Sequence, residues 1–123
     1  MHVLIIEDEV FLALQVQTLL EELGADSTDI AVTQSEAIEA ARAHRPDLIT
    51  SDVQLPEGDG PSAVKGIRAA CGDIPAIYIT GNPSMVQSID PSAEVLTKPI
   101  RWLDLVTATS HYGLPNSGAP ATP

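Results

Sequence analysis

The sequence predicts an α/β protein built on a doubly wound parallel sheet, and three observations carry that prediction. Short unbroken apolar runs, VLII at residues 3–6 and AIYI at 76–79, have the pattern of strands covered on both faces. Segments of helical apolar spacing separate the strands, and the strand-helix cycle repeats five times, which right-handed crossovers turn into a sheet with helices above and below. The strands also stop at residues that bear chemistry, and ligands of such sheets bind at the carboxyl ends of strands.

The elements follow in order. After residues 3–6, Leu12, Val16, Leu19, Leu20 and Leu23 recur at helical spacing and Gly24 supplies the stop. Residues 30–32 form a weak second strand. Thr33 with Glu36 is a capping-box signature for a helix through about Arg42, closed off by Pro46. A third strand over 48–51 ends at Asp52, and the loop VQLPEGDG leads to a helix with Pro61 in its first turn and Val64, Ile67 and Cys71 on one face. The fourth strand, 76–79, precedes GNPSMVQSIDPS, where two prolines and a glycine leave only a short or irregular helix. A brief strand at 95–96 and a helix from Ile100 to about His111, with Leu103 and Val106 inward, complete the pattern.

At 123 residues the chain is expected to be one domain, residues 1–112, able to bury about two-thirds of its unfolded surface. Residues 113–123, GLPNSGAPATP, carry too little apolar surface to fold and are expected to form a flexible tail with no output domain. The core is aliphatic, since the chain has one Phe, two Tyr and one Trp. A net charge of −11 repels phosphate backbones and anionic lipid, which argues against nucleic acid and membrane as partners. A single cysteine excludes an internal disulfide or a multi-thiolate metal site, and with no basic leader the expected location is cytoplasmic.

Read in order, the strand ends present Glu7 and Asp8, then Asp52, Thr80 and Lys98. Adjacent carboxylates repel unless a cation or proton offsets them. Three on one rim supply the hard oxygens that Mg²⁺ takes, often shared with a phosphate. A lysine and a threonine hydroxyl opposite such an ion suit the oxygens of a transferring phosphoryl group, and Asp52 is the natural nucleophile, forming an aspartyl phosphate. Singly, each residue has a plainer role as a turn, cap or strand residue. Their conjunction at successive strand ends is what carries the reading.

Through VLIIEDE, PDLITSDVQLPEGDG, PAIYITG and LTKPI the sequence resembles the receiver domain of two-component response regulators, over residues 1 to about 111. IEDE, DVQL and ITGNP are similar to PhyR-type receivers of the alphaproteobacterial general stress response and to stand-alone receivers of those pathways. The resemblance implies a flavodoxin-like, chemotaxis-regulator-like fold with strand order 2-1-3-4-5. It implies Asp52 as phospho-acceptor, Glu7, Asp8, Asp52 and the backbone carbonyl of Gln54 as Mg²⁺ ligands, Thr80 as switch hydroxyl, and Lys98 as the phosphate-pairing lysine before a cis bond to Pro99. Three departures stand out: Glu7 where most receivers have Asp, Val95 where a switching Tyr or Phe is usual, and a short 81–97 segment.

The expected function is a single-domain response regulator that accepts a phosphoryl group from a sensor histidine kinase or histidine phosphotransfer protein, catalysing only its own phosphorylation and dephosphorylation. It would work through protein partners or as a phosphate sink, as a monomer. An unphosphorylated pseudo-receiver is the alternative; an aspartate-nucleophile phosphatase fits less well, because the place of its general acid holds Gln54. Cys71 is expected as a buried structural thiol, and His2, His44 and His111 as solvated residues without metal spacing. Trp102 and Tyr112 flank the last helix, where packing competes with a partner-binding role for Trp102. Gly58 and Gly60 serve the turn after the third strand, since no GK[ST] follows them.

Overall fold

Strand and helix alternate five times in the computed structural model, which describes residues 1–115. The elements are β1 (His2–Ile6), α1 (Val10–Glu22), β2 (Ser27–Ala31), α2 (Gln34–Ala43), β3 (Leu48–Asp52), α3 (Gly60–Cys71), β4 (Ala76–Thr80), α4 (Pro83–Ile89), β5 (Glu94–Thr97) and α5 (Trp102–Ser110). All strand pairs are parallel and the order is β2-β1-β3-β4-β5.

Alternation along each strand divides the core in two. Leu4, Ile6, Ile49 and Tyr78 point to one face and pack under α2, α3 and α4 through Ala37, Ala41, Ala63, Val64, Ile67 and Val86. Val3, Ile5, Leu48, Ile77 and Ile79 point to the other and meet α1 and α5 through Ala13, Val16, Leu20, Leu105 and Ala108. A strand with side chains buried on both faces has no polar positions to spare, which is why β1 reads as an unbroken apolar run. The Thr33 hydroxyl caps α2 by accepting from the Glu36 N–H at 3.1 Å, and the Glu36 carboxylate reaches back to the Val32 N–H at 3.1 Å.

Several expectations are corrected. The second strand starts three residues earlier than expected, at Ser27: as the sheet edge it keeps a half-exposed, polar sequence that hides it from a search for apolar runs. Helix α5 buries Leu105, Ala108 and Thr109, so Leu103 lies off that face and is 75% exposed. Cys71 is only half-buried at the end of α3, where its Sγ lies 3.7 Å from the Ala41 carbonyl oxygen. His2 is buried instead of solvated, while His44 and His111 are exposed. Leu114, placed in the tail, is fully buried in the α1/α5 side of the core. Residues 116–123 of the expected tail lie outside the described residues. No helix among the described residues is long and apolar enough to cross a membrane.

Candidate functional site

The site forms where the buried strands run out of apolar residues at the carboxyl edge of the sheet. Glu7 follows β1 and is 4% exposed, with its Oε2 accepting from the Glu9 N–H at 3.1 Å; Asp8 beside it is exposed. Asp52 ends β3, and its Oδ1 accepts from the neighbouring Val53 N–H at 2.6 Å, which fixes the carboxylate's orientation. The loop that follows folds back on the strand end. Gln54 and Asp59 form an antiparallel bridge, the Gly60 N–H donates to the Val53 carbonyl at 2.7 Å, and Asp59 caps α3 by accepting from the Ser62 N–H at 2.7 Å. A Cβ on Gly60 would stand 1.9 Å from the Asp52 carbonyl oxygen, so only glycine lets α3 start this close to β3.

The fourth and fifth strands bring in the remaining groups. Thr80, buried at the end of β4, accepts from the Asn82 N–H at 3.0 Å, and its carbonyl receives the Lys98 N–H at 2.8 Å. The peptide bond from Lys98 to Pro99 is cis, as the resemblance implies. The Lys98 ammonium stands 2.9 Å from Asp52 Oδ2, 3.5 Å from Glu7 Oε1 and 3.8 Å from Glu9 Oε1. Asp8, Glu9, Asp52, Val53, Gln54 and Lys98 line a cleft of about 340 Å³ together with Thr80, Gly81, Asn82 and Met85.

Burial pushes the Glu7 carboxyl up to about 7 and the Asp52 charge acts the same way, against the Glu9 N–H and the Lys98 ammonium. Burial alone would lower the Lys98 value, but its hydrogen bond to Asp52 and the charges of Glu7, Asp52 and Glu9 outweigh that and leave it raised. One ammonium among the four carboxyl groups of Glu7, Asp8, Glu9 and Asp52 leaves the cleft with excess negative charge. Oxygens of Glu7, Asp8 and Asp52 approach within 4.8 Å of one another, and a set of hard carboxylate oxygens in a cleft that Gln54 also lines fits a Mg²⁺ ion.

The structure thus brings Glu7, Asp8, Asp52, Gln54, Thr80 and Lys98 to one place. Glu9, the Val53 N–H, Asn82 and Met85 belong to it too and were not singled out from the sequence. Glu9 stood in view in the IEDE run, but residue type alone does not separate a third acid from a solvated one. The Val53 amide leaves no trace in side-chain identity at all. Tyr78, buried on the face that carries Thr80, pairs in register with Val95, so the sheet holds an aromatic one strand away from the position where β5 lacks it.

A parallel sheet in this order, with acids, a hydroxyl and a lysine at its carboxyl edge, defines a receiver. The chain belongs to the response regulator receiver domain family, whose profile it matches over residues 3–110. It is 39% identical over 84 residues to the phyllosphere-induced regulator PhyR of Methylorubrum extorquens, an alignment covering 67% of this chain and 31% of that protein. With the chemotaxis protein CheY of Bacillus subtilis it shares 33% identity over 67 residues, 54% of this chain and 56% of the relative. The solution structure of the Erythrobacter litoralis PhyR receiver superposes with a TM-score of 0.80 at 34% identity, covering 90% of this chain and 88% of that one. The receiver domain of a Pseudomonas aeruginosa sensor histidine kinase, solved with a magnesium ion coordinated in its active-site cleft, gives 0.78 at 25% identity, covering 90% and 95%.

Proposed function

We propose that the protein is a phosphorylation-controlled receiver in which Asp52 takes a phosphoryl group from the phosphohistidine of a sensor histidine kinase or histidine phosphotransfer protein. The observation that carries this reading is the Lys98 ammonium 2.9 Å from Asp52 Oδ2, inside a cleft lined also by Asp8, Thr80 and Gln54. In the transfer the phosphorus–nitrogen bond of the donor breaks as a bond forms between phosphorus and an Asp52 carboxylate oxygen. The Val53 N–H and Lys98 hold that carboxylate in place beforehand. Lys98 and the Thr80 hydroxyl then face the phosphoryl oxygens, whose charge they stabilise. Attack of water on phosphorus restores the Asp52 carboxylate and releases phosphate, so the only reaction promoted is on the protein itself. Glu7, Asp8, Asp52 and the Gln54 carbonyl would hold Mg²⁺, which supplies positive charge to the phosphoryl oxygens when bound.

The donor docks on the first helix. Val10, Phe11 and Leu14 of α1 are exposed, Phe11 by 84%, and Trp102 of α5, 38% exposed, closes a groove with Phe11, Leu14 and Leu19. An apolar strip beside the cleft fits a helix of a phosphohistidine-bearing bundle. The protein acts as a monomer in the cytoplasm, as a sink for phosphoryl groups or through a partner, and takes part in stress signalling of the kind its PhyR relatives suggest. Treatment with a small phosphodonor and Mg²⁺, then hydride reduction of the acyl phosphate and peptide mapping, tests the acceptor. Reduction at Asp52 is expected; reduction at another acid overturns the assignment.

A further inference from the structure

At the opposite edge of the sheet a second group of ligand-type side chains converges. His2 opens β1, Asp29 lies in β2, and His44 caps the end of α2; one candidate donor atom from each lies within 4.8 Å of the others. His2 is 5% exposed and its ring stacks on that of His44, with centroids 3.5 Å apart and planes 9° from parallel. Its Nδ1 lies 2.7 Å from Ser27 Oγ and its Nε2 3.0 Å from Asp29 Oδ2, while its backbone N–H donates to Asp47 Oδ2 at 2.8 Å. A buried imidazole held on its far nitrogen by a hydroxyl, with its near nitrogen turned to a carboxylate, has the layout of a metal-ligating histidine with its outer partner in place; the second imidazole lies over its face, so His44 must swing off the stack to bring a nitrogen to the same point.

We propose that His2, His44 and Asp29 form a binding site for a zinc-class divalent cation. Two imidazole nitrogens and one carboxylate oxygen are a borderline donor set, which suits Zn²⁺ and its neighbours and not Mg²⁺. Bonds of about 2.0 Å place tetrahedral ligands roughly 3.3 Å apart, so the three donors must draw together. The freedom to do so lies in His44, which is exposed, and Asp29, which is half-exposed, while buried His2 stays fixed. Their solvent side leaves the fourth position to water. The site is distinct from the acidic cleft: His2 and Glu7 stand at opposite ends of β1, roughly 16 Å apart along the strand. A cation there ties together the start of β1, β2 and the α2–β3 junction, three segments separate in sequence, and so stabilises the fold by linkage.

The test is a Zn²⁺ titration of the untagged chain with Mg²⁺ at saturating excess, so that the acidic cleft is filled, read by imidazole nitrogen NMR and by melting temperature. His111, the third histidine, lies outside the cluster with its Nδ1 2.9 Å from Glu94 Oε1 and serves as an internal control. One equivalent should shift the His2 and His44 rings, leave His111 in place and raise the melting temperature. His44→Gln and Asp29→Asn, both at accessible positions, should abolish that response, and Ser27→Ala should weaken binding roughly tenfold or more. Unmoved His2 and His44 resonances, equal shifts of all three histidines, or wild-type affinity in folded His44→Gln would overturn the proposal.

Discussion

Thr50 shows how a single buried atom can work against the fold. Its hydroxyl, in the middle of β3 and 1% exposed, has no hydrogen-bond partner, unlike the neighbouring Ser51, which donates to the Asp52 carbonyl at 2.7 Å. Replacing the hydroxyl by a methyl removes that desolvation cost, so Thr50→Val should stabilise by about 1 kcal/mol; a lower melting temperature in the variant would contradict this. Glu7 sets a pH dependence. Its carboxyl titrates near 7 in the folded protein against an ordinary 4.5, so the native state holds a proton that the unfolded chain has released between those values. That contribution to stability is complete below about 4.5 and is lost as pH rises through about 7, on the order of 3 kcal/mol at 1.36 kcal/mol per pKa unit. In metal-free buffer the melting temperature should therefore fall over this window, and Glu7→Gln should flatten the slope. An equal slope in the variant would place the titration elsewhere. Glu7 and Asp8 were legible as a site because acids rarely follow an unbroken apolar run without a positive partner, and Lys98 was legible as their neighbour from its place after the fifth strand, but Glu7's burial was not, since residue type does not separate it from exposed Asp8 beside it.

Elements were legible in proportion to how much of their surface is buried. Strands β1 and β4, covered on both faces, announce themselves as apolar runs, and α2 by its cap. The edge strand β2 does not, because STDIA serves solvent as much as the core. The phase of α5 was misjudged because Leu103 and Val106 compete with Leu105 and Ala108 for the inward face, and only contact with the sheet decides. Helix α4 has seven residues between Pro83 and Ile89, as its prolines foretold. The junction of β3 and α3 hides its constraint in one residue. Gly60→Ala places a methyl where the Asp52 carbonyl already stands, so the loop must shift; a loss of roughly 1–3 kcal/mol is expected, with weaker Mg²⁺ binding. Unchanged stability and metal affinity would show that the junction yields without cost.

At the scale of the whole molecule the charge pattern is the dominant fact. The chain carries −11, and its densest cluster of acids sits in the cleft. Mg²⁺ binding to the native state should raise the melting temperature, and Asp8→Ala should raise it without metal while losing the metal response, because one repelling charge has gone. Melting curves indifferent to Mg²⁺ would instead favour a pseudo-receiver. With Val95 on β5 and a short α4, the surface that symmetric receiver dimers share is incomplete, so light scattering should give a monomer with and without a phosphate mimic in the site. A shift to a dimer would refute that. The central claim, that Asp52 accepts a phosphoryl group, is tested most directly by the intact mass of the protein after incubation with a small phosphodonor. The wild type should gain one phosphoryl group only when Mg²⁺ is present, and folded Asp52→Asn should gain none; labelling of Asp52→Asn at the wild-type level, or none in the wild type with Mg²⁺, would contradict it.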